Sequence, residues 1–403
     1  MGERCFGCVT HINLTIEIFR ETKKMQKKII VLAIAGALAS IVAGSALAAD
    51  VTIYGNADVG MVSQSGSGGN VNTNGTLTTV DSGVSGDSFL GFKGTEDVGN
   101  GITALFDLKG LVNYTSQSNS SSANGLSGGG LSSGHAMAGV TGSFGTAVIG
   151  RLDGARYSFA GKYNAFGLGS VGQFANLQVH QTRADNAVAY ISPTMSGFSV
   201  LAAYTTNLTG FTKTLATAQC FTAGCKPVGS VMDTNTHLFA IAPQYNNGPI
   251  SVTYDYEKAE TGGTPNSGIA INVLAGSYDL GVAKVLAYWE SIKHDKATAW
   301  DTKSWTLGAT APFGGNLLGK VSYGKVNDAN NGTGVGMGNL SKVSLGLDYT
   351  LTKNTKVYVD YATISNGTGG RGTMAYSGYT NSLESGQNGF GTKGFDVGIA
   401  KSF

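Results

Sequence analysis

Charge is scarce in this chain. Asp, Glu, Lys and Arg make up 13% of its 403 residues, about half of the roughly 25% usual for a soluble domain. Proline is scarce too, at 6 residues, which leaves no room for a proline-rich linker. No run after residue 48 is long and apolar enough for a transmembrane helix, so a helical membrane domain is excluded there. Cysteine is limited to four residues. Cys5 and Cys8 form a CxxC without a partner pair, a weak signal for zinc or redox chemistry. Cys220 and Cys225 lie in a polar stretch with no histidine at ligand spacing, so a small loop disulfide is expected rather than a metal site.

The front end explains the cysteine context. Met25–Ala48 has a Lys27/Lys28 head, an apolar run from Ile29 to Val42 and Ala46-Leu47-Ala48 as a small-x-small cleavage site. It reads as a secretory signal peptide, residues 25–48, with the mature protein beginning at Ala49. Residues 1–24 read as an N-terminal extension from a start codon placed too early; residues 49–403 form one domain. Removing 1–48 takes six of the 27 basic and three of the 25 acidic residues, leaving a net charge of about −1. No bulk charge points to nucleic acid.

What the chain has in abundance is glycine, 61 residues, and period-2 alternation. In Ile250–Glu257, Ile250, Val252, Tyr254 and Tyr256 oppose Ser251, Thr253, Asp255 and Glu257. Lys342–Tyr349, Lys356–Tyr361, Ala283–Glu290 and the terminal Gly394–Phe403 alternate likewise. Any one of these could be a sandwich strand. Connection lengths decide between the two architectures. Short Gly/Pro/Asn/Asp turns at 96–100, 142–146, 192–197, 246–249, 279–281, 312–316 and 351–354 alternate with long polar stretches at 65–83, 116–133, 154–182, 206–234, 259–268, 294–301, 327–338 and 365–392. Seven short and eight long connections join sixteen strands. This is the pattern of an all-β, sixteen-stranded antiparallel transmembrane barrel, polar inside and apolar outside, wide enough for an aqueous channel.

The segments Ala49–Gly60, Gly91–Gly99, Ile149–Asp153, Arg183–Gly197 and the final Phe403 together resemble the general, non-specific porins of Gram-negative outer membranes, of the Neisseria/Burkholderia-like type. The resemblance spans the mature chain in order. It implies an outer-membrane homotrimer, surrounded by lipid and lipopolysaccharide, that passes small hydrophilic solutes and ions by passive diffusion. It implies no cofactor, no metal and no nucleic-acid partner. It also implies that the third external loop folds inward to narrow the channel, and that Phe403 serves as an assembly signal.

That loop is 154–182. Tyr157, Phe159, Tyr163 and Phe166 are its expected anchors, because a loop packed inside a barrel needs aromatic contacts. Carried over by motif, Arg151 and Arg183 match wall arginines. Parity places Arg183 inward, whereas Arg151 shares parity with Ile149 and needs a bulge to turn it. The loop lacks the acid often seen in relatives, and the nearest acids are Asp153 and Asp185. The expected constriction is therefore Arg151, Arg156, Lys162 and Arg183 against Asp153 and Asp185, giving a weak anion preference.

Three other functions compete. A barrel hydrolase needs a Ser–His constellation, but His135, His180, His237 and His294 have no nucleophile motif near them. Adhesion or specific ligand binding through the long loops is the main alternative. A substrate-specific channel would need an ordered ladder of aromatic and basic residues along the lumen.

Overall fold

A computed structural model describes residues 50–66, 75–115, 133–174, 182–206, 237–260, 268–295, 301–328, 338–367, 370, 372–374 and 391–403. The extension, the signal peptide, His180, Cys220 and Cys225 lie outside the described residues.

The strands are β1 (Asp50–Ser65), β2 (Thr76–Ser82), β3 (Phe89–Gly99), β4 (Ile102–Leu111), β5 (Ala136–Gly142), β6 (Gly145–Asp153), β7 (Arg183–Ile191), β8 (Phe198–Thr205) and β9 (His237–Asn247). They continue with β10 (Ile250–Glu260), β11 (Ile269–Asp279), β12 (Lys284–His294), β13 (Thr302–Pro312), β14 (Leu317–Asp328), β15 (Leu340–Thr352), β16 (Thr355–Asn366) and β17 (Lys393–Ser402). From β3 onward each strand pairs antiparallel with the next. β17 returns to β1, from Asn56↔Ser402 to Ser65↔Lys393, and closes the barrel. β2 and β3 both pair with β1, at Val59–Ser65 and Asp50–Asn56 respectively. They therefore share one barrel position, and seventeen strand segments make sixteen staves. β2 falls inside 65–83, which the sequence pattern assigns to a loop.

Each of the seven expected short turns is present between strands. Six of them, all but the 351–354 turn, use left-handed backbone, as at Gly99, Asn100 and Gly101, which close the β3–β4 turn with φ of 88°, 55° and 73°. The inversion of faces is plain on β15 and β17. Leu345 is 54% exposed and Ile399 47%, while Ser344 and Asp396 are 1% and 0% exposed. Apolar side chains point out toward lipid, and polar ones point in.

One element departs from the all-β expectation. Residues Ala155–Lys162, directly after β6, form a short helix, α1. Eight residues with no side-chain N-cap do not hold a helix by themselves. Its stability comes from packing. Phe159, Ala160 and Tyr163 join a buried cluster with Ala240, Ala242, Ile271, Val273 and Ala275 on the inward faces of β9 and β11.

Candidate functional site

The segment 154–174 touches strand after strand of the inner wall. Arg156 on α1 is buried, and its Nη1 donates to Glu290 Oε2 of β12 at 2.9 Å. Its Nε lies 3.5 Å from Glu257 Oε2 of β10, and its backbone N–H donates to the other Glu257 oxygen at 3.3 Å. Tyr288 donates a further hydrogen bond to Glu290. Burial works against the guanidinium charge, but Glu290 and Glu257 outweigh it and hold the Arg156 pKa above its ordinary value.

Further along, the Tyr163 hydroxyl bonds Ser251 and Thr253 of β10 at 2.9 and 2.8 Å. Phe166 lies under Lys320 of β14 with Nζ 5.0 Å from the ring centroid. The Val171 N–H donates to Asp396 of β17 at 2.6 Å, and Lys342 of β15 donates to the Gln173 carbonyl. The Ser170 N–H donates to the Val84 carbonyl, where residues 83–87 interrupt the stave made by β2 and β3. The acids that this segment lacks are thus supplied by the wall.

Beside the segment is a lumen cavity of about 970 Å³. Five basic residues line it, Lys109, Lys162, Arg183, Lys353 and Lys356, against three acids, Asp58, Asp87 and Asp153. Lys109 pairs with Asp87 at 2.9 Å. Buried Arg183 reaches Asp153 at 3.1 Å and Asp87 at 3.7 Å, and donates to the Gly134 carbonyl. Lys356 pairs with Asp348 at 3.0 Å. Lys162 is exposed and bonds the Asn246 amide oxygen at 3.1 Å. Asp58 is buried, accepting from Tyr358 and from the Val84 and Ser85 N–H groups.

His135, just before β5, bridges Asp153 at 3.2 Å and Asp107 at 3.3 Å. Burial disfavours its charged form, but the two carboxylates outweigh burial and raise its pKa. Burial, reinforced by Asp87, raises the pKa of Tyr157. Its ring sits under Arg183, with the guanidinium 5.4 Å from the ring centroid.

Of the six residues expected at a constriction, Lys162, Arg183 and Asp153 line this cavity. Arg156 points into the wall instead. Arg151 and Asp185 pair with each other across a β-bulge between β6 and β7, where Gly150 has φ 138°. Asp185 shares sequence parity with Arg183, but the bulge breaks that parity. The four aromatics Tyr157, Phe159, Tyr163 and Phe166 are all buried. Phe403 remains exposed, while its backbone exchanges two 3.1 Å hydrogen bonds with Gly55. Lys109, Asp87, Asp107, His135 and Lys356 are further charged residues of this region beyond the six expected at the constriction. For Lys109, Asp107 and Lys356 the one signal is charge at inward parity, shared by many lumen positions; Asp87 and His135 lie outside the strands and carry no parity signal.

A family model described as Gram-negative porin matches residues 33–369. The chain is 27% identical over 402 residues to outer membrane porin protein 32 of Delftia acidovorans, covering 94% of this chain and 100% of that relative. It is 29% identical over 384 residues to an outer membrane porin protein of Bordetella pertussis, covering 81% and 91%. Among solved structures it is similar to an anion-selective porin from Comamonas acidovorans, with TM-score 0.62, 22% identity and coverage of 88% and 100%.

Proposed function

Because the chain belongs to the Gram-negative porin family, and so forms an outer-membrane channel for passive diffusion, we propose that its lumen prefers anions. The supporting observation is the surplus of basic over acidic side chains around the lumen cavity. Charges on a narrow wall of low dielectric favour permeant ions of opposite sign. Arg183 and Lys109 form the fixed part of the basic side, held by Asp153 and Asp87. Exposed Lys162 and half-buried Lys356 form the part nearest water. Arg156 and the Arg151–Asp185 pair serve structure instead: the first anchors the loop and the second fastens β6 to β7.

The segment 154–174 acts as the constriction loop, with Tyr157, Phe159, Tyr163 and Phe166 as its anchors. The anion selectivity of the similar Comamonas porin supports the same sign. The assembly proposed is a homotrimer, whose broad apolar outer face suits contact with lipid and with copies of itself.

The zero-current potential of the mature protein in a planar bilayer under a KCl gradient tests this. An anion-selective sign is expected, moving toward cations in Lys109→Gln and Lys356→Gln. A cation-selective sign in the unaltered channel refutes the proposal.

A further inference from the structure

Diffusion by itself does not require aromatic rings on a water-filled wall, since a half-exposed ring there keeps much of its surface in water. Four aromatic residues nonetheless line the lumen cavity, and two of them, Tyr54 of β1 and Phe89 of β3, stand together. Their centroids are 5.6 Å apart at 65°, an edge-to-face pair. Each ring carries its own lysine. Lys93 Nζ is 5.0 Å from the Tyr54 centroid, and Lys109 Nζ is 4.3 Å from the Phe89 centroid. The buried pair of Arg183 and Tyr157 lines the same cavity. Tyr54, Phe89 and Lys109 thus line the cavity, and exposed Lys93 stands against the Tyr54 ring at its edge.

The backbone holds this strip in place. Tyr54 stands opposite Gly91 on β3. A β-carbon at position 91 would lie 2.4 Å from Tyr54 Cζ, so only a bare backbone lets the ring lie across the strand. At its far end the Tyr54 hydroxyl donates to Asp107. The ring is pinned at both ends, which lowers the ordering cost of stacking against it.

We propose that this strip is a selectivity site for aromatic carboxylates. A planar ring extends the edge-to-face pair of Tyr54 and Phe89, and its carboxylate lies on the ammonium groups. Lys93 is exposed and receives the carboxylate first; Lys109, already 2.9 Å from Asp87, holds the inner end. A saturated ring of similar size carries the same charge but has no π face to offer, so the strip discriminates on aromaticity. This inference rests on the anion preference proposed above, because a cation-preferring lumen would exclude both acids alike.

The test uses the detergent-extracted mature protein in planar bilayers. Bi-ionic potentials are read for sodium benzoate against sodium chloride and for sodium cyclohexanecarboxylate against sodium chloride. A benzoate permeability roughly threefold above cyclohexanecarboxylate is expected, the scale of one added aromatic contact. Phe89→Leu keeps an apolar side chain without the π face and should bring the ratio toward one. Phe313→Leu, an exposed ring on the β13–β14 turn, should keep the wild-type ratio. Equal permeabilities in the wild type overturn the proposal, as does a ratio that survives Phe89→Leu. A cation-selective potential in KCl alone identifies failure of the underlying anion reading and removes this proposal with it.

Discussion

Replacing Arg156 by Met leaves Glu257 and Glu290 inside the wall without their counter-charge. Both carboxylates are buried, at 4% and 2% exposure, so solvent cannot take over the role of the guanidinium. Removing one partner of such a pair costs about 3–5 kcal/mol. The barrel itself survives this, because its ladders do not pass through Arg156. The loss falls on docking of the loop, which keeps the buried side chains of Phe159 and Tyr163, worth about 1.5–3 kcal/mol each, and two Tyr163 hydroxyl bonds, about 1 kcal/mol each. The loop therefore stays docked most of the time but opens more often. A cysteine at the buried position Ala160 reports this opening, in a background with Cys220 and Cys225 changed to serine. Its rate of labelling by a small thiol reagent scales with the open fraction. Arg156→Met should raise that rate by roughly 150-fold, the equivalent of about 3 kcal/mol. Adding Glu290→Gln should recover part of the loss, since one stranded charge disappears. A rise below about threefold, the equivalent of less than 1 kcal/mol, or strictly additive single and double variants, would refute the assignment of Arg156 as the loop anchor.

The remaining predictions concern charge and assembly. Lys162→Glu should shift the zero-current potential toward cations, and by more in 0.1 M than in 1 M KCl, because exposed charges are screened over about 10 Å and 3 Å respectively; equal shifts at both salts would place Lys162 away from the ion path. The His135 pKa is raised by Asp153 and Asp107 against the opposing effect of burial. Its stabilising charge is therefore fully present below the ordinary imidazole value of about 6.5 and is lost as pH rises through the raised value. Anion preference and thermal stability should both be greater at pH 5 than at pH 9, and His135→Gln should flatten this component in both measurements. Phe403→Ala should lower the yield of assembled barrel in cells while changing the refolded stability by no more than about 0.5 kcal/mol, since the ring is exposed and its ladder bonds are backbone; unchanged yield would remove its role as an assembly signal.

The staves were readable because period 2 is local. Ser251, Thr253, Asp255 and Glu257 face inward as their alternation requires, and each short turn carries the residues that its backbone needs. β2 was not readable. Leu77 and Val80 have opposite parity, and both are exposed, so the segment shows no alternation; its ladder to β1 makes it a strand. α1 was hidden for a similar reason, since the surface that stabilises it belongs to β9 and β11. Arg156 could be marked as a basic loop residue, but its partners lie 101 and 134 positions away, a distance at which local patterning carries no information. The Arg151–Asp185 pair was hidden for a different reason. Parity is a sound guide only while the ladder is regular, and the register shift between Gly150 and Leu152, opposite residues 184–187 of β7, falls at this pair.

The inner wall also departs from the rule that a lumen is polar, and the departure is confined to one arc. Inward positions on β7, β8, β9 and β11 are mostly Ala, Leu, Ile and Val, as at Ala187, Ala203, Ala240, Ala242, Ile271 and Val273. Outward positions on the same strands are apolar as well, as at Tyr204, Phe239 and Leu274. A strand apolar on both faces must be covered on both faces. Lipid covers one, and Phe159, Ala160, Tyr163 and Leu168 of the crossing segment cover the other. Charge meets the segment beside this arc at Glu257 of β10 and Glu290 of β12, where Arg156 enters. On the opposite arc, β4, β16 and the 83–87 interruption carry Lys109, Lys356 and Asp87 into open space. The crossing segment is therefore a piece of core for half of the barrel, and its docking confines the lumen cavity to the charged half. The proposed anion preference then rests on few residues, because only part of the circumference faces the water path.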